Sequence, residues 1–155
     1  MIDNNISKLK GFMPKHEGTA LTKWSEEFSS IGPIMEIGSY CGKSAMYLSK
    51  GAILNDQLVY TIDHHFGSEE HQINEEYFDN EIFDHKNQRV NTLPLLIKNI
   101  NKMQVENIVP IISNSVVIAS NWNTELGMVF IDGGHSFKAA NDDYESWNIK
   151  IKQNG

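Results

Sequence analysis

The 155-residue sequence predicts an α/β fold built on a doubly wound parallel sheet. Short apolar segments that suit buried strands alternate with longer segments that suit helices, as in a chain of strand–helix–strand units. The strand segments are apolar along their length, as expected when helices cover both faces of a sheet. Ligands of such sheets bind beyond the carboxyl ends of the strands, so the residues that follow each strand are the candidates for a site.

Residues 1–31 are predicted to form a helical segment that precedes the sheet domain of residues 32–155. Leu21, Trp24 and Phe28 recur at spacings of three and four, which indicates one apolar face of a helix. A Gly-Pro pair follows and should end the segment. The helix is therefore predicted to be amphipathic, with these three side chains on its apolar face.

Four strands and four further helices are predicted along the sheet domain. The strands are 34–38, 58–63, 108–112 and 127–131. The helices are 43–51, 91–103, 116–121 and 136–147, and the polar stretch 64–88 stays unassigned. Pro110 has no N–H group, so it predicts that the third strand lies at a sheet edge. The last helix is expected to turn Phe137, Tyr144 and Trp147 toward the core.

Composition narrows the class of protein. The formal net charge of −7 argues against a nucleic-acid partner, which would need a basic surface. The single cysteine cannot form an internal disulfide, and this fits a reducing compartment. No apolar run approaches the roughly 20 residues that span a bilayer, and residues 1–12 lack the apolar core of a signal peptide. We therefore expect a cytoplasmic protein with no membrane partner.

The first predicted strand leads into a turn with two glycines, Gly38 and Gly42. Glycine lets the backbone approach a ligand closely, and the free N–H groups of the following helix can meet an anion. The spacing matches neither a P-loop nor the G-x-G-x-x-G pattern of dinucleotide sites, and a plain strand–helix turn has the same features. Glu36 lies inside the apolar run, where an acid is unexpected unless it has a partner or a function.

Polar residues also follow the second and third strands. Asp63 stands 21 residues beyond Gly42, where an acid can accept hydrogen bonds from ribose hydroxyls. The alternative is an ordinary aspartate at a strand end. Asn114 and Ser115 suit the edge of an adenine ring, although such residues taken alone more often form a helix cap.

The fourth strand is followed by an aspartate, two glycines and a histidine. Asp132 can bind a metal or a substrate amine, and His135 can act as a general base near neutral pH. The alternative is that Asp132 and Ser136 cap the next helix. Because three strand ends carry groups suited to one ligand, the sequence favours a functional site.

Three segments together resemble class I S-adenosylmethionine-dependent methyltransferases, and among these the methyltransferase-24 group. They are EIGSYCGKS at 36–44, IDHHFGSEEHQ at 62–72 and FIDGGHS at 130–136. The likeness covers roughly residues 10–155 and implies a Rossmann-like sheet. The family's fold has seven strands, of which four are visible in this sequence. The resemblance therefore implies a sheet that is truncated after its fourth strand.

The resemblance implies S-adenosylmethionine as cofactor. The turn at 38–42 would hold its methionine part, Asp63 its ribose, and Asp132 would lie under the sulfonium. Glu36 would orient the turn or meet the amino group. The implied cofactor-binding residues are Glu36, Gly38, Ser39, Tyr40, Gly42, Ser44, Asp63, His64, Asn114, Ser115 and Asp132. Asp132 and His135 match an Asp-x-x-His spacing that supplies a metal ligand and the base in related O-methyltransferases. Both are therefore implied to be catalytic, with Asp132 as a ligand of an optional magnesium ion.

The predicted function is methyl transfer from S-adenosylmethionine to a small-molecule acceptor, with a hydroxyl as one candidate acceptor group. The main alternative is a catalytically incomplete S-adenosylmethionine-binding module. A metal-dependent hydrolase that uses the histidines of residues 64–88 is a third interpretation, and a nicotinamide oxidoreductase is disfavoured. With the family's strand order of 3-2-1-4, the apolar fourth strand would form an open edge. We therefore predict a homodimer or higher oligomer that covers it.

Overall fold

A computed structural model describes residues 5–68, 71–134 and 136–155. The strands are β1 (Ile34–Ile37), β2 (Val59–Asp63), β3 (Phe83–Asp84), β4 (Arg89–Val90), β5 (Ile108–Ile112) and β6 (Met128–Ile131). The helices are α1 (Lys15–Ser29), α2 (Lys43–Ala52), α3 (Leu93–Met103), α4 (Ser115–Ala119) and α5 (Phe137–Trp147), with 3-10 turns at Ile53–Asn55 and Asn148–Lys150.

Four of the strands form a parallel sheet in the order β5-β2-β1-β6. In register, Ile34 lies between Val59 of β2 and Met128 of β6, and Val59 pairs on its other side with Ile108 of β5. This is the predicted order 3-2-1-4, and Pro110 lies in an edge strand as predicted. The order puts β1, and therefore the turn that follows it, at the centre of the sheet.

Helices cover both faces of this sheet. On one face, α1, α2 and α3 pack over a core that includes Leu21, Tyr47 and Leu48. On the other face, α4 and α5 pack over a core that includes Met35 and Trp147. The predicted doubly wound α/β fold is therefore confirmed. Because β1 is covered on both faces, all four of its residues are buried.

Helix α1 packs through Leu21 and Phe28 of the predicted apolar face and through small side chains, but not through Trp24. Trp24 is 52% exposed, whereas Leu21 is buried. The other buried positions are Gly18, Ser25 and Ser29. Small residues let α1 approach α2 closely, and the Ser25 hydroxyl donates to the Leu48 carbonyl at 2.6 Å. The prediction for Trp24 was wrong because the close crossing of α1 and α2 leaves this large side chain outside. Residues 7–14 form turns and bends before α1 begins.

Helix α5 buries fewer aromatic side chains than predicted. Trp147 is fully buried, but Phe137 is 88% exposed and Tyr144 is 57% exposed. The buried positions of α5 are Asp143 and Trp147, which lie one turn apart, so the helix docks along a narrow line. Among the described residues, no helix is long and apolar enough to cross a membrane.

The polar stretch 64–88 contains β3, which pairs antiparallel with β4 just beyond the stretch, so that Phe83 lies opposite Val90. Phe83 and Val90 join Ile82 and Cys41 in a small apolar cluster of their own. Because Cys41 belongs to the glycine turn, this cluster fastens the polar stretch to the turn after β1.

Candidate functional site

A cavity of about 1050 Å³ opens at the carboxyl ends of the parallel strands. Its lining includes residues that directly follow or end β1, β2, β5 and β6, namely Gly38, Asp63, Ser113 and Asp132. Of the residues predicted for the cofactor, nine line it: Gly38, Ser39, Tyr40, Ser44, Asp63, His64, Asn114, Ser115 and Asp132. Glu36 and Gly42 lie outside the lining, and His135 lies outside the described residues.

Gly38 is required by the close approach of two strand ends. Its φ angle is +89°, and a Cβ atom at this position would come within 2.2 Å of the Asp132 carbonyl oxygen. The Gly38 N–H donates to the Ile62 carbonyl at 2.8 Å, and the Asp132 N–H donates to the Ile37 carbonyl at 2.8 Å. Since a side chain does not fit here, glycine brings the ends of β1 and β6 together at the floor of the cavity.

The Asp63 carboxylate ties the end of β2 to the glycine turn. Oδ2 accepts from the Tyr40 N–H at 2.8 Å and the Ser39 N–H at 3.1 Å. Oδ1 accepts from the His65 N–H at 2.7 Å. The side chain is 16% exposed and lines the cavity. Each carboxylate oxygen has two lone pairs, so Oδ1 keeps the capacity to accept a further hydrogen bond from a ligand.

Two residues of the turn that line the cavity carry hydroxyls, Ser39 and Tyr40. Ser39 is 1% exposed, and its Oγ has no hydrogen-bond partner among the described residues. Tyr40 has a left-handed φ of 46°, which is uncommon outside glycine, and burial raises the pKa of its phenol to about 12. Burial also raises the pKa of the neighbouring Cys41 thiol to about 12, so this cysteine stays protonated and packs as an apolar group.

Glu36 lies beneath the turn rather than in the cavity. It is fully buried in β1 and accepts a hydrogen bond from the Thr61 hydroxyl. Burial raises the pKa of its carboxyl to about 7; the Ser44 and Thr61 hydroxyls oppose this shift, and the negative charges of Asp132 and Asp63 add to it. The geometry favours support of the turn over direct contact with a ligand.

Gly42 also supports the turn from outside the cavity. It has a φ of +87° and stands immediately before α2. A Cβ atom here would lie 2.4 Å from the Leu96 side chain of α3. Gly42 therefore allows the sharp entry into α2 and the packing of α3 beside it.

Asn114 and Ser115 both line the cavity, and Asn114 also caps a helix. The Asn114 Oδ1 accepts from the Val117 N–H at 3.2 Å and so caps α4, as the bland alternative held. The Ser115 hydroxyl donates to Asp143 of α5. Burial raises the pKa of the Asp143 carboxyl, and the Ser115 hydrogen bond acts in the opposite direction. Asp143 lines the cavity but was not predicted, because its helical position alone does not show which way it faces.

The predicted magnesium site finds no ligand set in the described part of the chain. Asp132 lines the cavity, but residues 5–68, 71–134 and 136–155 contain no group of three or more His, Cys, Asp or Glu side chains arranged to hold a metal. Ser136 caps α5 by accepting from the Ala139 N–H at 3.2 Å. We therefore derive no chemical step through a metal.

The histidines of residues 64–88 bind separate partners. His64 accepts from the Phe66 N–H at 3.0 Å, and His65 is buried against the Thr92 hydroxyl at 2.7 Å. His71 shares a hydrogen bond with the Ser68 hydroxyl, and His85 shares one with Asn80. Burial lowers the pKa of His65, which keeps its ring neutral. This arrangement gives the hydrolase interpretation no support.

Aromatic rings from distant segments meet at the cavity, and no pattern in the sequence predicted this. Phe12, His71 and Tyr77 join Tyr40 in the lining. The ring centroid of Phe12 lies 5.6 Å from that of Tyr40 and 5.6 Å from that of Tyr77. A histidine count in the polar stretch could have singled out His71, but nothing in the spacing of residues links Phe12 to Tyr77.

Several solved structures share this fold. Cofactor-bound Rv0187 from MTB matches with a TM-score of 0.63 at 16% identity, over 97% of this chain and 57% of its own. The O-methyltransferase from Bacillus cereus in complex with SAH matches with a TM-score of 0.59 at 16% identity, over 97% and 58%. The SAH-bound methyltransferase PaMTH1 from Podospora anserina matches with a TM-score of 0.54 at 13% identity, over 99% and 65%. The fold is thus that of class I methyltransferases, and the chain spans less than two thirds of the length of these proteins.

The methyltransferase-24 family, whose description is "Methyltransferase domain", matches residues 35–155. Because the match covers most of the chain, the protein belongs to this family, and the resemblance read from the sequence is confirmed. The family match begins within β1 and includes the strand ends that line the cavity.

Proposed function

We propose that the cavity binds S-adenosylmethionine and that the protein transfers its methyl group to a small-molecule acceptor. One observation carries the proposal. The Asp63 carboxylate at the end of β2 holds the Gly38 turn at the end of β1 while lining the same cavity. An acid placed there can accept from ribose hydroxyls, and a turn without side-chain obstruction can approach the rest of the ligand.

The residues of the cavity fit the parts of this cofactor. The unpartnered Ser39 hydroxyl and the turn backbone suit the polar amino-acid end. The remaining lone pair of Asp63 suits the ribose, and Asn114 with Ser115 suits an adenine edge. His64, which is 49% exposed and 4.0 Å from Asp63, lies where it can flank the ribose.

Bound S-adenosylmethionine supplies a methyl group already activated by its sulfonium. Transfer to an acceptor hydroxyl breaks the sulfur–carbon bond, forms a carbon–oxygen bond, and requires that the hydroxyl proton pass to a base. The chain has to align the acceptor and receive this proton. We assign these roles to Asp132, which lines the cavity at the end of β6, and to His135 three residues beyond it. O-methylation is therefore the reaction that we propose.

Isothermal titration of the chain with S-adenosylhomocysteine tests the cofactor site. We expect saturable binding to one site, weakened at least about tenfold in Asp63→Asn, because a hydrogen bond to a charged acceptor contributes about 1.5–3 kcal/mol. Asp63→Asn keeps one acceptor for the turn, so the fold should survive, as circular dichroism can check. Asp56→Asn makes the same change outside the cavity and should bind like wild type. A folded wild-type chain that does not bind would refute the proposal.

Turnover needs its own measurement, since the chain spans less than two thirds of the length of its structural relatives. Release of S-adenosylhomocysteine from S-adenosylmethionine, measured with mixtures of small hydroxyl compounds, reports methyl transfer. Acceptor-dependent release would support the enzyme. Binding without release across a broad acceptor set would instead support the alternative of a binding module without catalysis.

A further inference from the structure

Four rings form one side of the cavity, and we call them the aromatic wall: Phe12, Tyr40, His71 and Tyr77. They come from the segment before α1, from the glycine turn and from the polar stretch. Ring centroids lie 5.4 Å apart for Tyr40 and His71, and 6.2 Å apart for Phe12 and His71. These separations are typical of packed aromatic pairs, so the rings hold one another in place.

The wall keeps much of its apolar area open. Phe12 is 67% exposed and Tyr77 is 45% exposed, although both line a cavity. Exposed aromatic area inside a concave site is an unused binding surface for a flat apolar group.

Ion pairs join two of the three chain segments that supply the wall. The Lys10 ammonium contacts both Asp79 and Glu81, which brings the residues before Phe12 against the residues after Tyr77. Burial lowers the pKa of Lys10, but the hydrogen bonds and charges of these two carboxylates together outweigh it and raise the pKa, so the lysine is charged at neutral pH. The ion pairs therefore hold Phe12 and Tyr77 close to each other.

The charges around the cavity limit what can bind against this wall. Two lysines line the cavity, Lys43 and Lys138, against six acids: Glu17, Asp63, Glu76, Asp132, Asp142 and Asp143. Lys138 already pairs with Asp142, and the Lys43 ammonium donates to the Gly11 carbonyl at 3.2 Å. An acidic lining repels anionic ligands and attracts cations, and aromatic faces also attract cations.

We propose that the aromatic wall is the acceptor subsite and that the acceptor is a flat aromatic molecule without negative charge, bound more tightly when it carries an amine. This inference rests on the proposed function, since it names the acceptor of the same cavity. The aromatic ring of the acceptor packs against Phe12 and Tyr77, whose planes lie at 75° to each other, so it meets one ring face to face and the other at its edge. Its amine meets the negative potential of the lining.

Four probes of similar shape separate ring stacking from charge: 2-phenylethylamine, 2-phenylethanol, phenylacetate and 2-cyclohexylethanol. Binding is followed by ¹H NMR titration of each probe into the chain, with and without S-adenosylhomocysteine. We expect the amine to bind best, the phenyl alcohol next, and phenylacetate and the cyclohexyl alcohol worst. The preference for the amine should shrink as salt is added. Equal affinity for the amine and phenylacetate would overturn the charge argument.

Substitutions in the aromatic wall test whether the probes bind there. Phe12→Leu and Tyr77→Leu should each weaken the binding of 2-phenylethanol by about three- to tenfold. This is the range expected for the loss of one aromatic contact. Both side chains are exposed, so the fold should be retained. Trp24→Leu removes an exposed ring outside the cavity and should change nothing. If affinity were unchanged in both variants, or equal for the phenyl and cyclohexyl alcohols, the aromatic wall would not be the acceptor subsite.

These results stay separate from the test of the cofactor. If S-adenosylhomocysteine binds and the aromatic probes do not, the acceptor inference fails while the proposed function stands. If the probes bind at the wall but S-adenosylhomocysteine does not bind, the proposed function fails and the wall is a binding site for another purpose.

Discussion

At the scale of single residues, Glu36 makes the stability of the fold depend on pH. Its carboxyl is fully buried in the central strand, and burial raises its pKa from an ordinary value of 4.5 to about 7. Between these values the folded state binds a proton that the unfolded state has released. Stability from this group is therefore fully present below about pH 4.5 and is lost as the pH rises through about 7.

Glu36→Gln should remove this pH dependence. Glutamine can accept from the Thr61 hydroxyl as glutamate does, but it cannot ionise. We expect the free energy of unfolding of the variant, relative to wild type, to rise by about 3 kcal/mol between pH 4 and pH 8, since one pKa unit corresponds to about 1.4 kcal/mol. Urea unfolding at both pH values measures the difference.

The control for this change is Glu27→Gln, at an exposed position of α1. It removes one formal negative charge without touching the buried site. If both variants changed the pH dependence of unfolding equally, burial of Glu36 would not be the cause.

At the scale of elements, the contact of α1 with α2 depends on the absence of a side chain at Gly51. A Cβ atom there would lie 2.3 Å from the Thr22 carbonyl oxygen and 2.6 Å from the Glu26 amide nitrogen. Both are backbone atoms of α1, so no side-chain rotation can make room. The hydroxyl of Thr22 also donates to the Tyr47 carbonyl at 3.0 Å, which fixes the distance between the helices.

Gly51→Ala should therefore destabilise the protein, although glycine to alanine usually stabilises a helix by about 1 kcal/mol. Overpacking of a close contact costs about 1–3 kcal/mol, so after the gain in helix propensity we expect a net loss of up to about 2 kcal/mol in the free energy of unfolding. Urea unfolding measures it. Lys23→Ala, at an exposed site of α1, should stay within about 0.5 kcal/mol of wild type. A stabilised Gly51→Ala variant would show that the helices can separate without cost.

The elements also show what sequence patterns can and cannot predict. The four strands of the parallel sheet were predictable, because apolar runs mark buried strands, and Pro110 marks an edge. Their order followed from the resemblance to the family and not from these patterns. Periodicity found Leu21 on the packed face of α1, but it wrongly included Trp24 and missed Gly18 and Ser25.

The site was predictable only where its residues stand at the ends of predicted strands. Gly38, Asp63 and Asp132 each follow from position at a strand end, because parallel strands bring those ends to one edge. The meeting of Phe12 with Tyr77 depends on how two loops fold over the cavity, and no local pattern encodes it.

At the scale of the whole molecule, the outer edge of β6 is a candidate surface for association with a second copy of the chain. Leu126, just before β6, exchanges hydrogen bonds of 2.9 Å with Lys150 and Lys152. Beyond this pairing, the described residues form no further strand ladder along that edge. The edge is apolar in sequence, MVFI, and an open apolar edge can pair with another chain.

We therefore predict that two copies associate through β6. Light scattering should show a mass that rises with protein concentration, and amide hydrogen exchange in Met128–Ile131 should slow over the same range. The other edge strand, β5, provides an internal control, because Pro110 lacks the N–H group that edge pairing uses. Its exchange should not depend on concentration. A monomeric mass throughout, or equal protection of both edges, would contradict association through β6.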